Sequence, residues 1–390
     1  MAQTLLLSIT GLDQVGVTKT LFSALPEGIV VLDIEQAVVD GYLQLGVLLK
    51  VESEQDVLAI TDIARAALLP IGLSVSSTSH ALDLSSTAVS RQRVTVLGNP
   101  LTTGAIEKLA IAIRAANGNI ERVERISDNP VTCLQFKIAG ADTAALQQAI
   151  SEFLQAFKVD VAIQNLDLDR RGRQLVVMDV DSTVIQNEVI ELIARRAGVE
   201  AEVKQITDSA MAGELDFEQS LRARVALLKG VSEAEYLEVY EDVELTPGAK
   251  TLCSSLNKLG FEIALVSGGF TEIVAKLAAD LGVKHFRANQ LEIVDGVLTG
   301  KVLGKVVDRA AKAEYLQMFA DEFGIPLQRT IAIGDGANDL DMLAVAGLGI
   351  AFNAKPIVQA AADAAINVPY LDTALYLLGI TKAEIDSLSE

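Results

Sequence analysis

Hydrophobic and polar positions form the same pattern twice in the first 166 residues of the chain. In residues 1–82, apolar runs such as LLLSIT and GIVVLDIEQAVV alternate with amphipathic stretches, which predicts the element order βαββαβ. After a polar, serine-rich segment the same order returns, beginning with RVTVLG and ending with VDVAIQNLD. The pattern therefore predicts an internal repeat of two α/β sandwich modules, over residues 1–82 and 90–166.

A charged segment, DLDRRGRQ at 167–174, separates this repeat from a region with a different pattern. There the apolar strands QLVVMDV, EIALVSG, TIAIGDG and LGIAF alternate with helical stretches, and AAINV is a candidate fifth strand. Strands this uniformly apolar are typical of a parallel sheet that is covered on both faces. The first strand is followed by a helix-rich insertion at about 187–246. We therefore expect an α/β domain over 173–390 that carries a helical cap.

Length, composition and charge describe a globular protein of several domains. At about 150 residues per domain, 390 residues indicate two or three domains. Half of the residues are hydrophobic, which argues against disorder. The formal net charge of −20 opposes binding to nucleic acid or to anionic membranes, so we expect neither as a partner. Any phosphate ligand must then be held by local cations or by a metal.

The few cysteines and the start of the chain predict a cytoplasmic protein. Cys133 and Cys253 are far apart in sequence, and His80 and His285 are the only histidines, so a Cys/His zinc cluster is excluded. The N-terminal segment lacks the basic region of a signal peptide. No stretch approaches the roughly 20 apolar residues of a membrane span. We expect a soluble protein in the reducing cytoplasm.

Three of the predicted apolar strands end in residues suited to phosphate chemistry. The first strand ends in DVDST, which places Asp179 and Asp181 at the carboxyl edge of the sheet, where open α/β sheets bind ligands. The second ends in SGG at 267–269, before a helix whose N-terminus favours anions. The third runs into GDGAND, which contains Asp335 and Asn338. Each motif alone also fits an ordinary polar turn or helix cap, but their succession on three strands favours one site.

Two cations stand out by their positions on a helical wheel. At about 100° per residue, Arg224 falls beside Phe217 at the edge of the apolar face of FEQSLRARVALLKG, whereas Arg222 points away. A guanidinium at that edge suggests a ligand partner, although an arginine that snorkels to water fits the same position. Lys312 falls near the middle of the apolar arc of DRAAKAEYLQMFADEFG. Its alternative is an i,i+4 pair with Asp308 on a partly exposed helix.

Together these motifs resemble a known family. DVDST, SGG, the isolated Lys312 and GDGAND resemble the signature of the haloacid dehalogenase-like phosphatases, over most of 174–370. The longer strings DVDSTVIQNEVIELIA, AMAGELDFEQSLRARVALLKG and VSGGF are similar to the members that act on phosphoserine. The implied fold is a Rossmann-like parallel-sheet hydrolase core with a small helical cap inserted after the first strand.

The N-terminal half separately resembles ACT domains, the ferredoxin-like modules that bind small ligands on amino-acid enzymes. In the first copy, GLDQVGV at 11–17 matches the strand-to-helix turn of that family. In the second copy, GNPLTTG departs from it. The resemblance implies an amino-acid effector, with serine as the first candidate, at the turn of the first copy. It also implies a homodimer, because such modules pair edge to edge.

The resemblance to the phosphatases implies hydrolysis of O-phospho-L-serine to L-serine and phosphate, the last step of serine biosynthesis. Asp179 would attack phosphorus to give an aspartyl-phosphate. Asp181 would protonate the departing serine oxygen and then take a proton from the attacking water. Mg²⁺ would be held by the carboxylates of Asp179 and Asp335 and by the main-chain carbonyl of Asp181, an all-oxygen set suited to a hard cation.

The same resemblance implies a set of substrate-binding residues. They are Glu188, Arg224, Ser267, Gly268, Lys312 and Asn338. The last four would hold the phosphoryl oxygens, and the first two would reach the ammonium and carboxylate groups of the amino acid from the cap. Taken by itself, Glu188 also fits an acidic residue in the first turn of a helix.

Two other functions stay open at the level of sequence. One is a phosphatase of another small phosphomonoester, because fold and core motifs do not fix the substrate. The other is an amino-acid-sensing regulatory protein with an inactive catalytic half. A zwitterionic substrate needs both Glu188 and Arg224, whereas a sugar phosphate needs neither. A sensor would have lost one of the core carboxylates, and every core position is intact.

Overall fold

The structure of this α/β protein is a computed structural model that describes residues 3–81, 91–156, 159–165, 172, 174–211 and 216–389. Most of the serine-rich segment, most of the charged segment and part of the cap string AMAGELDFEQ lie outside these described residues. The chain divides into two compact units, Met1–Ala88 and Val89–Glu390. Among the described residues, no helix combines the length and the apolar character that crossing a bilayer requires.

The first unit is a four-stranded antiparallel sheet with two helices. Its elements are β1 (Gln3–Leu12), α1 (Val17–Ala24), β2 (Val31–Val39), β3 (Tyr42–Val51), α2 (Glu54–Leu68) and β4 (Ser74–Ala81). The strand order is β2-β3-β1-β4. Alternate residues of β1, namely Leu5, Leu7 and Ile9, are buried in one cluster with Leu21 and Ala64 of the two helices. The predicted order βαββαβ is confirmed for this unit.

The second unit begins with a module of the same order. Its elements are β5 (Arg91–Gly98), α3 (Thr103–Ala115), β6 (Asn119–Ser127), β7 (Thr132–Ala139), α4 (Thr143–Ala156) and β8 (Val159–Asn165). Its strands lie in the order β8-β5-β7-β6, which is the order β4-β1-β3-β2 of the first unit. The internal repeat predicted from the sequence is therefore present in the fold.

The rest of the second unit is a parallel sheet with helices. Its elements are β9 (Leu175–Met178), α5 (Val189–Ala197), α6 (Glu200–Met211), α7 (Phe217–Leu227), α8 (Glu233–Glu238), α9 (Ala249–Lys258), β10 (Glu262–Phe270), α10 (Thr271–Asp280), β11 (His285–Val294), β12 (Val297–Leu303), α11 (Arg309–Phe323), β13 (Thr330–Gly334), α12 (Leu340–Val345), β14 (Leu348–Phe352), α13 (Pro356–Gln359), β15 (Ala364–Ile366), α14 (Ala374–Leu377) and α15 (Lys382–Ser389). The strands β11-β10-β9-β13-β14-β15 run parallel to their neighbours. Every residue of β9, β13 and β14 is buried, as the uniformly apolar runs predicted.

Helices α5 to α8 form the insertion between β9 and β10, as expected of the cap. Strands β11 and β12 form an antiparallel hairpin, which the sequence pattern did not predict. It contacts the cap through main-chain hydrogen bonds, from Gly230 N to Leu298 O at 2.9 Å and from Glu233 N to Gly296 O at 2.8 Å. These hydrogen bonds therefore attach the cap to the core, in addition to the two segments of chain that connect them.

The two halves of the second unit share a single sheet. Strand β8 of the module pairs with β15, which gives an eleven-stranded sheet. Gln164 Nε2 donates to Leu377 O at 2.9 Å, and the Asp160 carboxylate accepts from Asn367 N at 2.8 Å and from Asn367 Nδ2 at 2.6 Å. Burial raises the pKa of Asp160, against these two hydrogen bonds. Buried polar contacts thus join the second module to the parallel sheet.

Candidate active site

The loop after β9 directs two carboxylates into one pocket. Ser182 in this loop has a φ of 58° and a ψ of 3°. This left-handed conformation is unfavourable for a residue with a side chain. A hydrogen bond from Ser182 Oγ to Glu188 Oε1 at 2.8 Å helps to hold the turn. As a result, Asp179 and Asp181 both line the pocket.

Lys312 is fully buried and joins two carboxylates. Its Nζ lies 2.7 Å from Asp179 Oδ1 and 2.7 Å from Asp339 Oδ1. Burial would lower the pKa of Lys312, but the charges of these two carboxylates raise it on balance, so the lysine remains a cation. The alternative that Lys312 pairs with Asp308 on a partly exposed helix is therefore wrong. Asp308 instead caps α11 by accepting from Ala311 N at 2.8 Å.

Both donors to the Asp179 side chain act on the same oxygen. Val180 N donates to Asp179 Oδ1 at 2.7 Å, and Lys312 Nζ contacts that oxygen too. Among the described residues, no donor contacts Oδ2. Burial and the charge of Asp339 raise the pKa of Asp179 well above its usual range, and Lys312 opposes this rise. The carboxylate is thus oriented through one oxygen while the other is left available.

Asp181 is oriented by two hydrogen bonds from different elements. Its Oδ1 accepts from Val189 N at 2.8 Å, and its Oδ2 accepts from Ser267 Oγ at 3.1 Å. Gly269 N donates to Ser267 Oγ at 2.8 Å. A Cβ atom at Gly269 would lie 2.8 Å from Asp181 Oδ2, so a larger residue at this position would displace the Asp181 carboxylate. Burial raises the pKa of Asp181, and its hydrogen bonds oppose that rise.

Three carboxylates converge where β9 and β13 end. One oxygen from each of Asp179, Asp335 and Asp339 lies within 4.8 Å of the others. Thr183 Oγ1 donates to Asp335 Oδ1 at 3.1 Å. Burial and the charge of Asp339 raise the pKa of Asp335 to about 6. Three acids beside one lysine leave an excess of negative charge, and oxygen donors are those that hard divalent cations prefer. The residues present therefore fit a metal site.

Asp339 is a site residue to which the sequence analysis assigned no role. Besides contacting Lys312, it accepts from Gly336 N at 3.0 Å and so holds the turn after β13. The sequence did contain a hint of this role, because Asp339 is the last acidic residue of the motif GDGAND. The sequence pattern could not show which of the acids in that motif would point to the other strand.

The cap closes the pocket with one apolar side and one charged side. The pocket has a volume of about 90 Å³ and is lined by Asp179, Asp181, Glu188, Ile190, Phe217, Leu221, Arg224, Gly268, Gly269, Asp335 and Asn338. A Cβ atom at Gly268 would lie 3.2 Å from Phe217 Cζ, so the ring packs on the glycine turn. Ile190, Phe217 and Leu221 were not among the predicted site residues.

Glu188 and Arg224 face this pocket with shifted pKa values. Surrounding protein and the charge of Asp181 raise the pKa of Glu188 to about 8, although its side chain reaches water at the pocket mouth. Burial lowers the pKa of Arg224, and Glu188 opposes that shift. Arg222 lies outside the pocket and pairs with Glu218 at 2.6 Å. The helical wheel therefore separated the two arginines in the way the structure does.

The structure thus brings the predicted residues together. Those that line the pocket are Asp179, Asp181, Glu188, Arg224, Gly268, Asp335 and Asn338. Ser267 and Lys312 are buried directly behind it and contact Asp181 and Asp179.

Comparison with known proteins identifies the family. A haloacid dehalogenase-like hydrolase family matches residues 176–344, and two ACT domain families match residues 3–68 and 90–164. A phosphoserine phosphatase of Streptomyces coelicolor is 47% identical over 98% of this chain and 94% of its own length. The chain belongs to the phosphoserine phosphatase family. A second phosphoserine phosphatase, from Mycobacterium tuberculosis, is 45% identical over the same shares of the two chains.

A solved structure of the phosphoserine phosphatase family supports the same placement. It is described as a substrate-bound phosphoserine phosphatase complex and is 44% identical. It covers 53% of this chain and 99% of its own, with a TM-score of 0.51. The protein is thus a haloacid dehalogenase-like enzyme of the phosphoserine phosphatase family with two N-terminal ACT domains.

Proposed function

We propose that this enzyme hydrolyses O-phospho-L-serine to L-serine and inorganic phosphate. The observation that carries the proposal is the division of one small pocket between two kinds of group. Asp179, with Lys312 behind it, lies on the core side, and Glu188 and Arg224 lie on the cap side. A carboxylate and a guanidinium are the partners that an amino acid's ammonium and carboxylate groups require.

In the first step, Asp179 Oδ2 attacks phosphorus and the bond from phosphorus to the serine oxygen breaks. The Lys312 ammonium, together with a divalent cation bound beside it, would favour the ionised form of Asp179 against the burial that raises its pKa. An ionised carboxylate needs no base to activate it. Asp181 gives its proton to the departing serine oxygen, so L-serine leaves as a neutral alcohol. The raised pKa of Asp181 suits this task, because a general acid must be protonated at the start.

In the second step, water attacks the phosphorus of the aspartyl-phosphate. Asp181, now ionised, takes a proton from that water. The bond between phosphorus and Asp179 breaks, which releases inorganic phosphate and restores the free carboxylate. The hydrogen bond from Val189 N holds Asp181 in place for both transfers. Ser267 Oγ has a single proton, which it donates to Asp181 in this structure and would donate to the phosphoryl group when substrate is bound.

The phosphoryl oxygens are bound by residues from the ends of β10 and β13 and from helix α11. Ser267 Oγ, Gly268 N, Lys312 Nζ and the Asn338 amide are the proposed donors. We assign the metal as Mg²⁺, held by the carboxylates of Asp179 and Asp335 and the main-chain carbonyl of Asp181. Bound there, Mg²⁺ would neutralise charge on the phosphoryl oxygens. Magnesium titration by calorimetry tests this assignment: Asp335→Asn should lose the heat of binding, and retention of that heat would contradict it.

A phosphate-release assay over a panel of small phosphomonoesters tests the proposed substrate. The panel includes both enantiomers of phosphoserine, phosphothreonine, phosphoethanolamine and a sugar phosphate. We expect L-phosphoserine to have the highest kcat/KM, and phosphoethanolamine, which lacks the carboxylate, to be poor. A sugar phosphate turned over as fast as L-phosphoserine would overturn the proposal.

The domain limits, the effector and the assembly are further parts of the proposal. We assign residues 1–82 and 90–166 to ACT domains and 173–390 to the phosphatase domain, in a cytoplasmic enzyme. The Gly11–Gly16 turn of the first unit is the proposed serine site, where Gly16 adopts a φ of 94° and a side chain would meet no atom within 4 Å. Serine inhibition of the full chain should exceed that of a chain beginning at residue 89. Equal inhibition would exclude regulation through the first unit.

We also propose a homodimer formed through the first unit. Strand β2 is an edge strand, and every one of its residues is exposed. Val31, Ile34, Val38 and Val39 give this edge an apolar character. Light scattering should give twice the mass of one chain for the wild-type protein. Val38→Lys should reduce the measured mass to that of one chain.

A further inference from the structure

Asn289 is a buried amide close to the site that the proposed chemistry does not use. It lies on β11 and is 1% exposed. Its Nδ2 donates to Gly268 O at 2.8 Å, and its Oδ1 accepts from Val307 N at 2.8 Å. A buried amide is costly unless both of its ends find partners, and here both do. The partners belong to two separate segments that carry proposed phosphate-binding groups.

On one side, Asn289 fixes the orientation of a peptide unit. Gly268 O and Gly269 N belong to the same planar peptide, so a bond to the oxygen also sets the direction of the N–H. That N–H donates to Ser267 Oγ at 2.8 Å, and Ser267 Oγ donates to Asp181 Oδ2 at 3.1 Å. The amide is therefore linked through one peptide and one hydroxyl to the proposed general acid.

On the other side, Asn289 fixes the segment that begins α11. Val307 directly precedes Asp308, the N-cap of this helix. Lys312 is the fourth residue of α11 and reaches Asp179 and Asp339. Displacement of Val307 would therefore move the start of the helix that presents the lysine to the nucleophile.

We propose that Asn289 is a positioning residue that sets the separation between the Ser267–Gly269 turn and the Lys312 helix. Only a side-chain amide offers a donor and an acceptor in one rigid group of this size, because an ionised aspartate donates nothing and leucine does neither. The amide spans the gap between the two phosphate-binding segments and acts through them. This inference rests on the proposed phosphatase reaction.

The test compares Asn289→Asp with two control variants. Asn289→Asp keeps the size and the acceptor but faces Gly268 O with a second acceptor. Asn257→Asp is the matched control, since Asn257, an exposed residue of α9, also donates through its Nδ2 to a glycine carbonyl, Gly282 O at 3.1 Å. Thr271→Val removes a hydrogen bond to Asn289 O (3.0 Å) and so loosens the same strands without changing the amide.

We expect Asn289→Asp to lower kcat/KM for phosphoserine about 100-fold, mostly through kcat, the order of loss that misplaced reacting groups produce. The inhibition constant of inorganic phosphate should rise about tenfold, as expected for losing well-placed hydrogen bonds to a charged ligand. The competitive inhibition constant of L-serine, which reports its binding at the active site by Glu188 and Arg224, should stay within about twofold. Both controls should leave the ratio of the two inhibition constants unchanged.

Loss of stability alone would weaken phosphate and serine together, so equal rises in the two inhibition constants would overturn the proposal. Asn289→Ser is the second variant if Asn289→Asp fails to fold, because it leaves a small hydroxyl donor and room for water. Calorimetry with inorganic phosphate and Mg²⁺ gives an independent readout. If the wild-type enzyme bound phosphate but did not hydrolyse phosphoserine, the proposed substrate would fail. Separately, if neither Asn289 variant changed the affinity for phosphate, the proposed role of Asn289 would be refuted.

Discussion

Asp179 is the residue on which the proposed chemistry depends most directly. Asp179→Asn keeps the shape of the side chain but removes the charge that attacks phosphorus and pairs with Lys312. We expect kcat to fall by several orders of magnitude, on the order of the losses seen when other nucleophiles are removed. Asp341→Asn is the control, because Asp341 is a partly exposed acid near the same edge that pairs with Arg309. A variant at 179 that kept a tenth of wild-type turnover would contradict the assignment.

Arg224 and Arg222 provide a matched pair on one helix. Arg224 lines the pocket, whereas Arg222 pairs with Glu218 outside it. Arg224→Ala should lower kcat/KM for phosphoserine by the equivalent of about 2–5 kcal/mol, because the substrate carboxylate would be left without its partner. Arg222→Ala should cost less than about 1 kcal/mol, as expected of a surface substitution. Steady-state kinetics of the two variants decide whether the helix faces the substrate as proposed.

Ionisation of Glu188 should make kcat/KM for phosphoserine depend on pH. Since its pKa is raised to about 8, the carboxylate is partly protonated at neutral pH and gains charge as the pH rises. Only the ionised form pairs with an ammonium group, so kcat/KM should rise with pH up to about 8. Glu188→Gln should abolish this rise. A rise near pH 6, where the phosphate group of the substrate itself ionises, should remain in the variant.

At this scale, local periodicity predicted some contacts, and long-range pairing decided the others. The position of Arg224 follows from its phase relative to Phe217 on the same helix, which the sequence contains. The role of Asp339 depends on Lys312, 27 residues earlier, and on Asp179, which follows strand β9. No local pattern holds that information.

Among the elements, the hairpin of β11 and β12 determines where the cap rests. Gly300 on β12 has a φ of 80°, and a Cβ atom there would lie 3.1 Å from Ala226 O in α7. Gly296 at the hairpin turn has a φ of 75° but open space around it. Both glycines therefore need a positive φ, but only Gly300 also lies close to the backbone of the cap.

Replacing these glycines with alanine separates the two effects. Gly296→Ala should lower the free energy of unfolding by about 1–2 kcal/mol, the cost of a side chain in the left-handed region. Gly300→Ala should cost a further 1–3 kcal/mol or so, because overpacking adds to it. It should also raise KM, since α7 carries Arg224. Denaturant unfolding and kinetics check both points, and equal effects at the two sites would exclude close packing at Gly300.

The strands of the parallel sheet could be predicted because burial on both faces leaves wholly apolar runs. The hairpin could not be predicted in the same way. In β11, buried and exposed residues follow no simple alternation, since the buried side chains include the polar Asn289 and the register shifts between Leu291 and Ile293. A polar residue that is buried for its hydrogen bonds hides the strand pattern around it.

For the whole molecule, the shared sheet predicts where the chain can be cut. A chain that begins at Val89 keeps the second unit complete. A chain that begins near residue 173 loses β8 and with it the contacts of Gln164 and Asp160. We expect the first to keep the Tm of the second unit and its phosphatase activity, and the second to show a clearly lower Tm. Equal Tm values in calorimetric scans would show that the shared sheet adds no stability.

The sequence predicted the two modules and the parallel-sheet domain but not their fusion into one sheet. A short strand such as β15 carries no signal for the strand beside it. The joining contacts involve residues about 200 positions apart, as with Asp160 and Asn367. The charged segment after β8 looked like a boundary because composition changes there.

The junction of β15 and β8 also changes which strand edge faces other chains. Without the module, the sheet would end at β15, whose sequence AAI carries no charge. With it, the sheet ends at β6, where Arg122 and Glu124 form an ion pair at 2.6 Å among further charged residues. Charged edge strands resist the intermolecular pairing that leads to aggregation, whereas uncharged ones invite it. We therefore expect the second module to protect the catalytic sheet from self-association, whether or not it binds a ligand.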